Sequence, residues 1–319
     1  VTGGAGYIGA AVARRLREAG HTVAVLDNLS TGHREAVDDL DLVVGDYGDV
    51  PLLEEVLRAR RIEGIVHMAA FCLVEESVRD PAPYYRNNVG GSLRLLGAAC
   101  RLSVGAFVFS SSAAVYGEPE RVPIDEEHPV RPTNPYGETK LAFERALGWF
   151  GAAYGLRATC LRYFNAAGAT RDGRVGEAHH PETHLVPNVL RAAQRGESVP
   201  VYGADYPTPD GTAVRDYVHI EDLAEAHRLA VERPASDRRP AIFNLGNGSG
   251  FSVLEVIEAA RRVTGRPIAV RSEARRPGDP ARLVASSARA RAELGWSPAA
   301  SDLGTILETA WRYQQARGV

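Results

Sequence analysis

The hydrophobic and polar positions alternate between two periods along the first half of the chain. A stretch from Ile8 places Val12 and Leu16 on one face and stops at Gly20, a spacing that predicts a helix ended by a left-handed glycine. Residues 21–26 (HTVAVL) then read as a strand closing on Asp27, and further short apolar runs follow at 41–44, 64–70, 106–112 and 158–165. Helix-like segments at 52–60, 88–101 and 136–154 lie between them. Nearly continuous apolar strands separated by helices predict a parallel sheet covered on both faces, a doubly wound α/β domain over residues 1–165. Residues 166–213 carry many Gly, Pro and His and read mainly as loop with one helix at 186–196. A strand-like run at 241–248 and an amphipathic helix at 253–263 complete a smaller mixed α/β lobe, nominally 166–319, with the chain expected to cross between lobes more than once.

Composition narrows the class. The 319 residues are 45% hydrophobic and 24% charged, the balance of an ordinary globular protein, and a net charge of -3 offers no general attraction to nucleic acid. No apolar run is long enough to span a bilayer, and no export signal opens the chain, so a cytoplasmic enzyme is expected. The chain opens at Val1 directly on a glycine turn, so residues of a first strand are expected to precede it. The three cysteines, Cys72, Cys100 and Cys160, have no metal-type spacing and read as free thiols in a reducing compartment. Lysine changes the picture most: Lys140 is the only one, so it is a candidate for work that arginine cannot do.

Three motifs carry chemistry. Gly3, Gly6 and Gly9 stand between a strand stump and a helix, where they permit a tight turn, close approach to a pyrophosphate and close helix packing. The helix N-terminus adds free N–H groups and the positive end of a dipole. The next strand ends in Asp27, whose carboxylate suits the ribose hydroxyls of NAD and repels the 2′-phosphate of NADP. Second, Tyr136 and Lys140 lie four residues apart, on one helix face, where an ammonium and a positive nicotinamide ring would pull the phenol towards neutral pH. A surface Tyr/Lys pair is the plain alternative, outweighed by the uniqueness of the lysine downstream of a dinucleotide turn. Third, Ser110–Ser112 end a strand on the side where such sheets bind ligands, although three serines also suit a strand-to-loop cap.

Together the glycine turn, the strand-end Asp and Ser, and the Tyr-x-x-x-Lys pair resemble the extended short-chain dehydrogenases, with a Rossmann-like domain. Within them, strings such as VTGGAGYIG, FSSSAAVYG, NPYGETK and LRYFNAAGA resemble the UDP-glucose 4-epimerases over nearly the whole chain. The resemblance implies reversible NAD-dependent oxidation at C4 of a UDP-sugar, interconverting UDP-glucose and UDP-galactose, by a homodimer joined through helices such as 88–101 and 136–154. It makes Tyr136 the base, Lys140 its electrostatic partner and Ser112 the bridging hydroxyl at the substrate. It assigns cofactor contacts to Tyr7, Ile8, Asp27, Asn28, Asp46, Tyr47, Asn87, Tyr136, Lys140, Tyr163 and Phe164. The UDP-sugar falls to Ser112, Tyr136, Asn165, Leu185, Tyr202, Arg215, Arg276 and Asp279. Arg215 and Arg276 are fork-shaped donors suited to a diphosphate, and Tyr202 to stacking on uracil.

Departures bear on the substrate. Ala113 and Ala114 follow Ser112 where the family often has a Thr at the second position, Cys72 stands where a Lys is common, and Leu283 leaves tolerance for an N-acetylated sugar open. A 4,6-dehydratase would need an Asp-Glu pair where Ala113 and Ala114 stand, and a non-catalytic NAD sensor would not need Tyr136 and Lys140. An epimerase of another nucleotide sugar remains the alternative. The histidine-rich run 179–184 (HHPETH) is read as a loop of the substrate lobe, with no metal assigned.

Overall fold

A computed structural model of the chain describes residues 1–234, 239–276 and 278–317. The apolar runs of the first half become β1 (Ala24–Asp27), β2 (Asp41–Val44), β3 (Gly64–His67), β4 (Ala106–Ser112) and β5 (Arg157–Tyr163). The sheet is parallel. β1 pairs with β2, β3 with β4, and β4 with β5, and the later strand Ala241–Leu245 adds to the free edge of β5. Thr2 bridges Leu26 and His67, so the opening residues lie between β1 and β3 and join the two halves. Burial of Val25, Ile65, Val66, Phe107, Val108 and Phe109 on both faces explains why these strands read as apolar runs rather than alternating ones.

Helix α1 (Tyr7–Glu18) packs its small residues Ala10, Ala11 and Ala13 into the core together with Leu223, Ala226 and Ala230 of the helix Ile220–Glu232. That helix and the strand Ala241–Leu245 come from beyond residue 166 yet belong to the first sheet, so the chain returns to it after leaving. The remaining pieces pack a separate core around Val189, Leu190, Val256, Ile257, Ile306 and Leu307. Short strands Ser198–Tyr202 and Ala269–Glu273 pair there, and Val214–Arg215 pairs with both Phe251–Ser252 and Arg282–Leu283.

Most expected elements hold to within a few residues, and three details differ. The segment 88–101 is not one uniform helix: Pro81–Tyr84 leads into a wide π turn at Tyr85–Gly91, and the α-helix proper is Ser92–Arg101. A Cβ on Gly91 would lie 2.9 Å from the Tyr47 ring, so the backbone is pressed close against that side chain. The run 158–165 breaks after Tyr163, and Asn165–Ala167 pairs instead with Tyr217–His219. The stretch after 166 also holds more regular structure than its composition suggests, including the strand Ser198–Tyr202.

Two core histidines are buried neutral. His67, 1% exposed, sits between the hydroxyls of Thr2 and Ser92, both at 2.7 Å, and burial pushes it down to about 3. His227 donates from Nδ1 to the Leu223 carbonyl and accepts at Nε2 from Ser110, and burial pushes it down to about 4 despite the carbonyl. Both folded values lie below the unfolded one, so their stabilisation is complete above pH ~6.5 and declines as the pH falls towards 4. The urea midpoint is therefore expected to be lower at pH 5 than at pH 7, with proton uptake on unfolding; equal midpoints would contradict the assignment.

Candidate active site

A cavity of about 500 Å³ opens at the carboxyl ends of the strands, where a doubly wound sheet places its ligands. Its floor is the glycine turn. Gly3 has φ of +69°, and a Cβ on Gly9 would stand 2.1 Å from the Gly3 carbonyl oxygen, so helix and turn meet at a distance that only glycine permits. α1 has no side-chain N-cap and no acid in its first turn, and Tyr7, Ile8 and Gly9 line the cavity. Its first N–H groups and dipole thus remain for an anion. Asp27, 8% exposed, accepts from Ala5 N at 2.9 Å and Leu29 N at 2.8 Å, which fixes the carboxylate at the cavity wall. An uncapped helix end and a strand-end carboxylate on one wall fit the pyrophosphate and ribose of NAD.

Further residues assigned to the cofactor are brought to the same wall. Asn28, Tyr47, Asn87, Tyr163 and Phe164 line the cavity, and Tyr47 donates to the Asn87 carbonyl at 2.7 Å. Asp46 does not line it. Its carboxylate accepts from Asn28 at 3.3 Å and Gly48 N at 2.6 Å, so it acts from behind.

The reacting groups sit on the helix Pro135–Tyr154, started by Asn134 capping Gly137 N at 2.9 Å and by Pro135 in the first turn. Tyr136, Lys140 and Ser112 all line the cavity. Lys140 is 4% exposed, donates to the Ser110 carbonyl at 2.9 Å and lies 5.7 Å from the centroid of the Tyr136 ring. Burial pulls its ammonium down to about 8. In the protein alone, burial, followed by the neighbouring Tyr163 and Cys72, pushes the Tyr136 phenol up rather than down, with Ser112 pulling the other way. The ammonium is spent partly on the Ser110 carbonyl, so Lys140 by itself does not make Tyr136 a base.

A network that the motifs do not contain holds this helix in place. One turn beyond Lys140, Glu144 meets Arg162 of β5 at 2.6 Å, both side chains 4% exposed, and accepts from Ser111 at 2.5 Å. Arg162 also donates to Tyr116 at 3.0 Å, which donates to Asn244 at 2.7 Å. No local spacing announces it, because the partners come from four different elements; a carboxylate on the buried face of the helix was the only signal.

The substrate assignments divide. Asn165 and Asp279 line the cavity, as do Ala113, Ala114, Cys72 and Leu283. Arg215 is off the wall but forms an ion pair with Asp279, while Arg276 stacks 4.0 Å above the Tyr202 ring, also off the wall. One face of Tyr202, expected to stack on uracil, is thus covered by Arg276. Leu185 packs against the second core rather than the cavity. The histidine-rich run is a loop, as expected, but His179 and His184 from it, and Glu177 just before it, reach the cavity wall, which the sequence reading missed.

A doubly wound sheet with a dinucleotide turn and a Tyr/Lys pair on one cavity defines a nicotinamide-dependent enzyme. The model of the NAD dependent epimerase/dehydratase family matches residues 1–246, and the chain belongs to that family. It is 52% identical to a UDP-glucose 4-epimerase of Corynebacterium glutamicum, over 100% of this chain and 96% of that one. A UDP-glucose 4-epimerase of Lacticaseibacillus casei is 51% identical over 99% of this chain and 96% of its own. Among solved structures, UDP-glucose 4-epimerase from Brucella ovis in complex with NAD superimposes with a TM-score of 0.94 at 48% identity, covering 98% of this chain and 96% of that one.

Proposed function

We propose that the chain interconverts UDP-glucose and UDP-galactose by oxidising and re-reducing C4 through a 4-keto sugar. The observation that carries this reading is the placement of Tyr136, Lys140 and Ser112 around the same cavity as the uncapped start of α1. Bound NAD+ supplies the hydride acceptor and donor, and its positive ring the charge that favours the phenolate. The chain's own residues do the rest. Tyr136 takes the C4 hydroxyl proton and later returns it, Ser112 bridges the phenol to the sugar, and Lys140 holds the helix face against Ser110 and adds positive charge.

Inversion requires the keto sugar to present its other face while the nucleotide stays bound. Ala113, Ala114 and Leu283 give the wall few side-chain hydrogen bonds, which suits a sugar that must turn. Two alanines after Ser112 also leave no carboxyl pair for dehydration, which favours the epimerase branch of the family over the dehydratase branch. Asp279 on the cavity wall, with Arg215 paired to it and Arg276 close by in sequence, would hold the diphosphate in this account, and Asn165 the adjoining part of the UDP-sugar.

We also infer a homodimer through the helices Ser92–Arg101 and Pro135–Tyr154. Trp149 is 77% exposed and Tyr154 67% exposed on the second, with Leu93 at 38% on the first, large apolar side chains that a partner chain would cover. Sedimentation at micromolar concentration should give a two-chain species; a monomer throughout would contradict it. The chain's cysteines form no disulfide, which suits the reducing cytoplasm we infer for it, and no helix among the described residues is long and apolar enough to cross a membrane.

Purified protein should convert UDP-galactose to an equilibrium mixture with UDP-glucose. Tyr136→Phe should cut turnover by at least ~100-fold while keeping NAD bound. Unchanged turnover in Tyr136→Phe would remove the base, and conversion of UDP-N-acetylgalactosamine alone would replace the substrate.

A further inference from the structure

The loop entering the helix Leu185–Arg195 gathers four side chains that the epimerase chemistry leaves without a task. Glu177, His179, Glu182 and His184 each aim one donor atom at a common point, all within 4.8 Å of one another. Glu177 Oε1 lies 3.2 Å from His179 Nδ1 and in closer contact with His184 Nδ1. Glu182 reaches His184 Nδ1 at 3.5 Å and His179 Nδ1 at 3.9 Å. Four donors around an ion with 2.0–2.1 Å bonds stand about 3.3 Å apart in a tetrahedron. The observed separations bracket that value.

Two features distinguish this from an ordinary ion-pair network. First, both carboxylates are more than nine-tenths buried, at 6% and 7% side-chain exposure, and they face the same point. Glu182 Oε1 also accepts from the backbone N–H groups of Thr183 at 2.8 Å and His184 at 2.9 Å, which fixes its carboxylate at that point, and a cation there would offset the charge of the pair. Second, His179 Nδ1 is buried without a hydrogen-bond partner: the Glu177 oxygen is near it but off its donor axis. A nitrogen serving an ion pair would be aligned with its acceptor, whereas one serving a metal presents its lone pair to the centre. His184 Nδ1 faces both carboxylates, so metal binding there exchanges a proton for the ion.

We propose that Glu177, His179, Glu182 and His184 bind one divalent transition-metal ion of the zinc type. Two imidazoles and two carboxylates suit Zn2+ or Co2+ over Ca2+ and Mg2+, which favour all-oxygen shells. Four protein donors leave no open position, the pattern of a structural rather than a catalytic site. With neutral imidazoles the two carboxylates balance the charge of the ion. The ion ties the loop 177–184 to the cavity wall beside Tyr7, whose ring lies 6.2 Å from that of His179 and whose hydroxyl donates to the Gly168 carbonyl at 2.6 Å. Its effect is to stiffen the wall against which α1 begins.

The test uses the purified, NAD-containing protein, stripped with a chelator and titrated with Zn2+ and then with Co2+. One equivalent of Zn2+ per chain should bind and raise the melting temperature, and Co2+ should give the intense visible bands of a tetrahedral site. His179→Ala and Glu182→Gln should each weaken Zn2+ binding by more than the ~10–100-fold that losing a supporting partner costs. His180→Ala, exposed in the same loop and outside the cluster, should leave it unchanged. Circular dichroism and NAD content report whether each variant is folded. Absence of stoichiometric Zn2+ binding, or binding that folded His179→Ala and Glu182→Gln retain in full, would overturn the proposal.

Discussion

The buried carboxylate of Glu144 is the constraint on which the active geometry rests. It lies four residues after Lys140 on the same helix and is locked by Arg162 and Ser111 in neighbouring strands. Both charges are out of water, so the pair is tolerable only with every partner in place; removing one would leave an uncompensated charge at a cost of about 3–5 kcal/mol. That requirement fixes the rotation of the helix Pro135–Tyr154 against β4 and β5, and hence where Tyr136 and Lys140 point. Tyr116 and Asn244 extend the same network to the strand Ala241–Leu245, so the late return of the chain to the first sheet serves the site as well as the core.

A second consequence follows from burial. The environment that holds Lys140 and Tyr136 in place also opposes their charged forms, drawing the lysine down and the phenol up. A site so arranged is a poor base when the protein is alone and a better one once a cation is bound beside it. Chemistry is then coupled to cofactor occupancy by electrostatics, without any moving part. The apolar wall of Ala113, Ala114 and Leu283 complements this arrangement in the proposed reaction, where recognition would be concentrated on the nucleotide and the sugar left free to turn.

Much of this was legible in the sequence wherever one short segment carries the whole signal. The glycine turn, the strand-closing Asp27 and the single lysine four residues after Tyr136 each announce themselves locally, and the apolar runs of β1 to β5 locate the sheet. What was not legible depends on residues far apart in the chain. The Glu144–Arg162 pair joins a helix to a strand, the stacking of Arg276 on Tyr202 joins a loop to the end of the strand Ser198–Tyr202, and Asp46 and Leu185, assigned through the resemblance, stand off the cavity. The π turn at Tyr85–Gly91 escaped because helical spacing does not reveal a widened turn, and the close approach of Gly91 to Tyr47 depends on the tertiary fold. The histidine run was ambiguous for the same reason, since spacing alone does not say whether four donors converge.

The most direct test of the account follows the hydrogen at C4. UDP-galactose carrying deuterium on C4 would be incubated with the protein in ordinary water until it equilibrates with UDP-glucose, and both sugars analysed by mass spectrometry and NMR. Oxidation and re-reduction within one closed cavity predicts that the deuterium stays on C4 in both sugars. Its replacement by solvent hydrogen would mean that C4 is inverted through proton exchange, and the internal hydride account would be wrong.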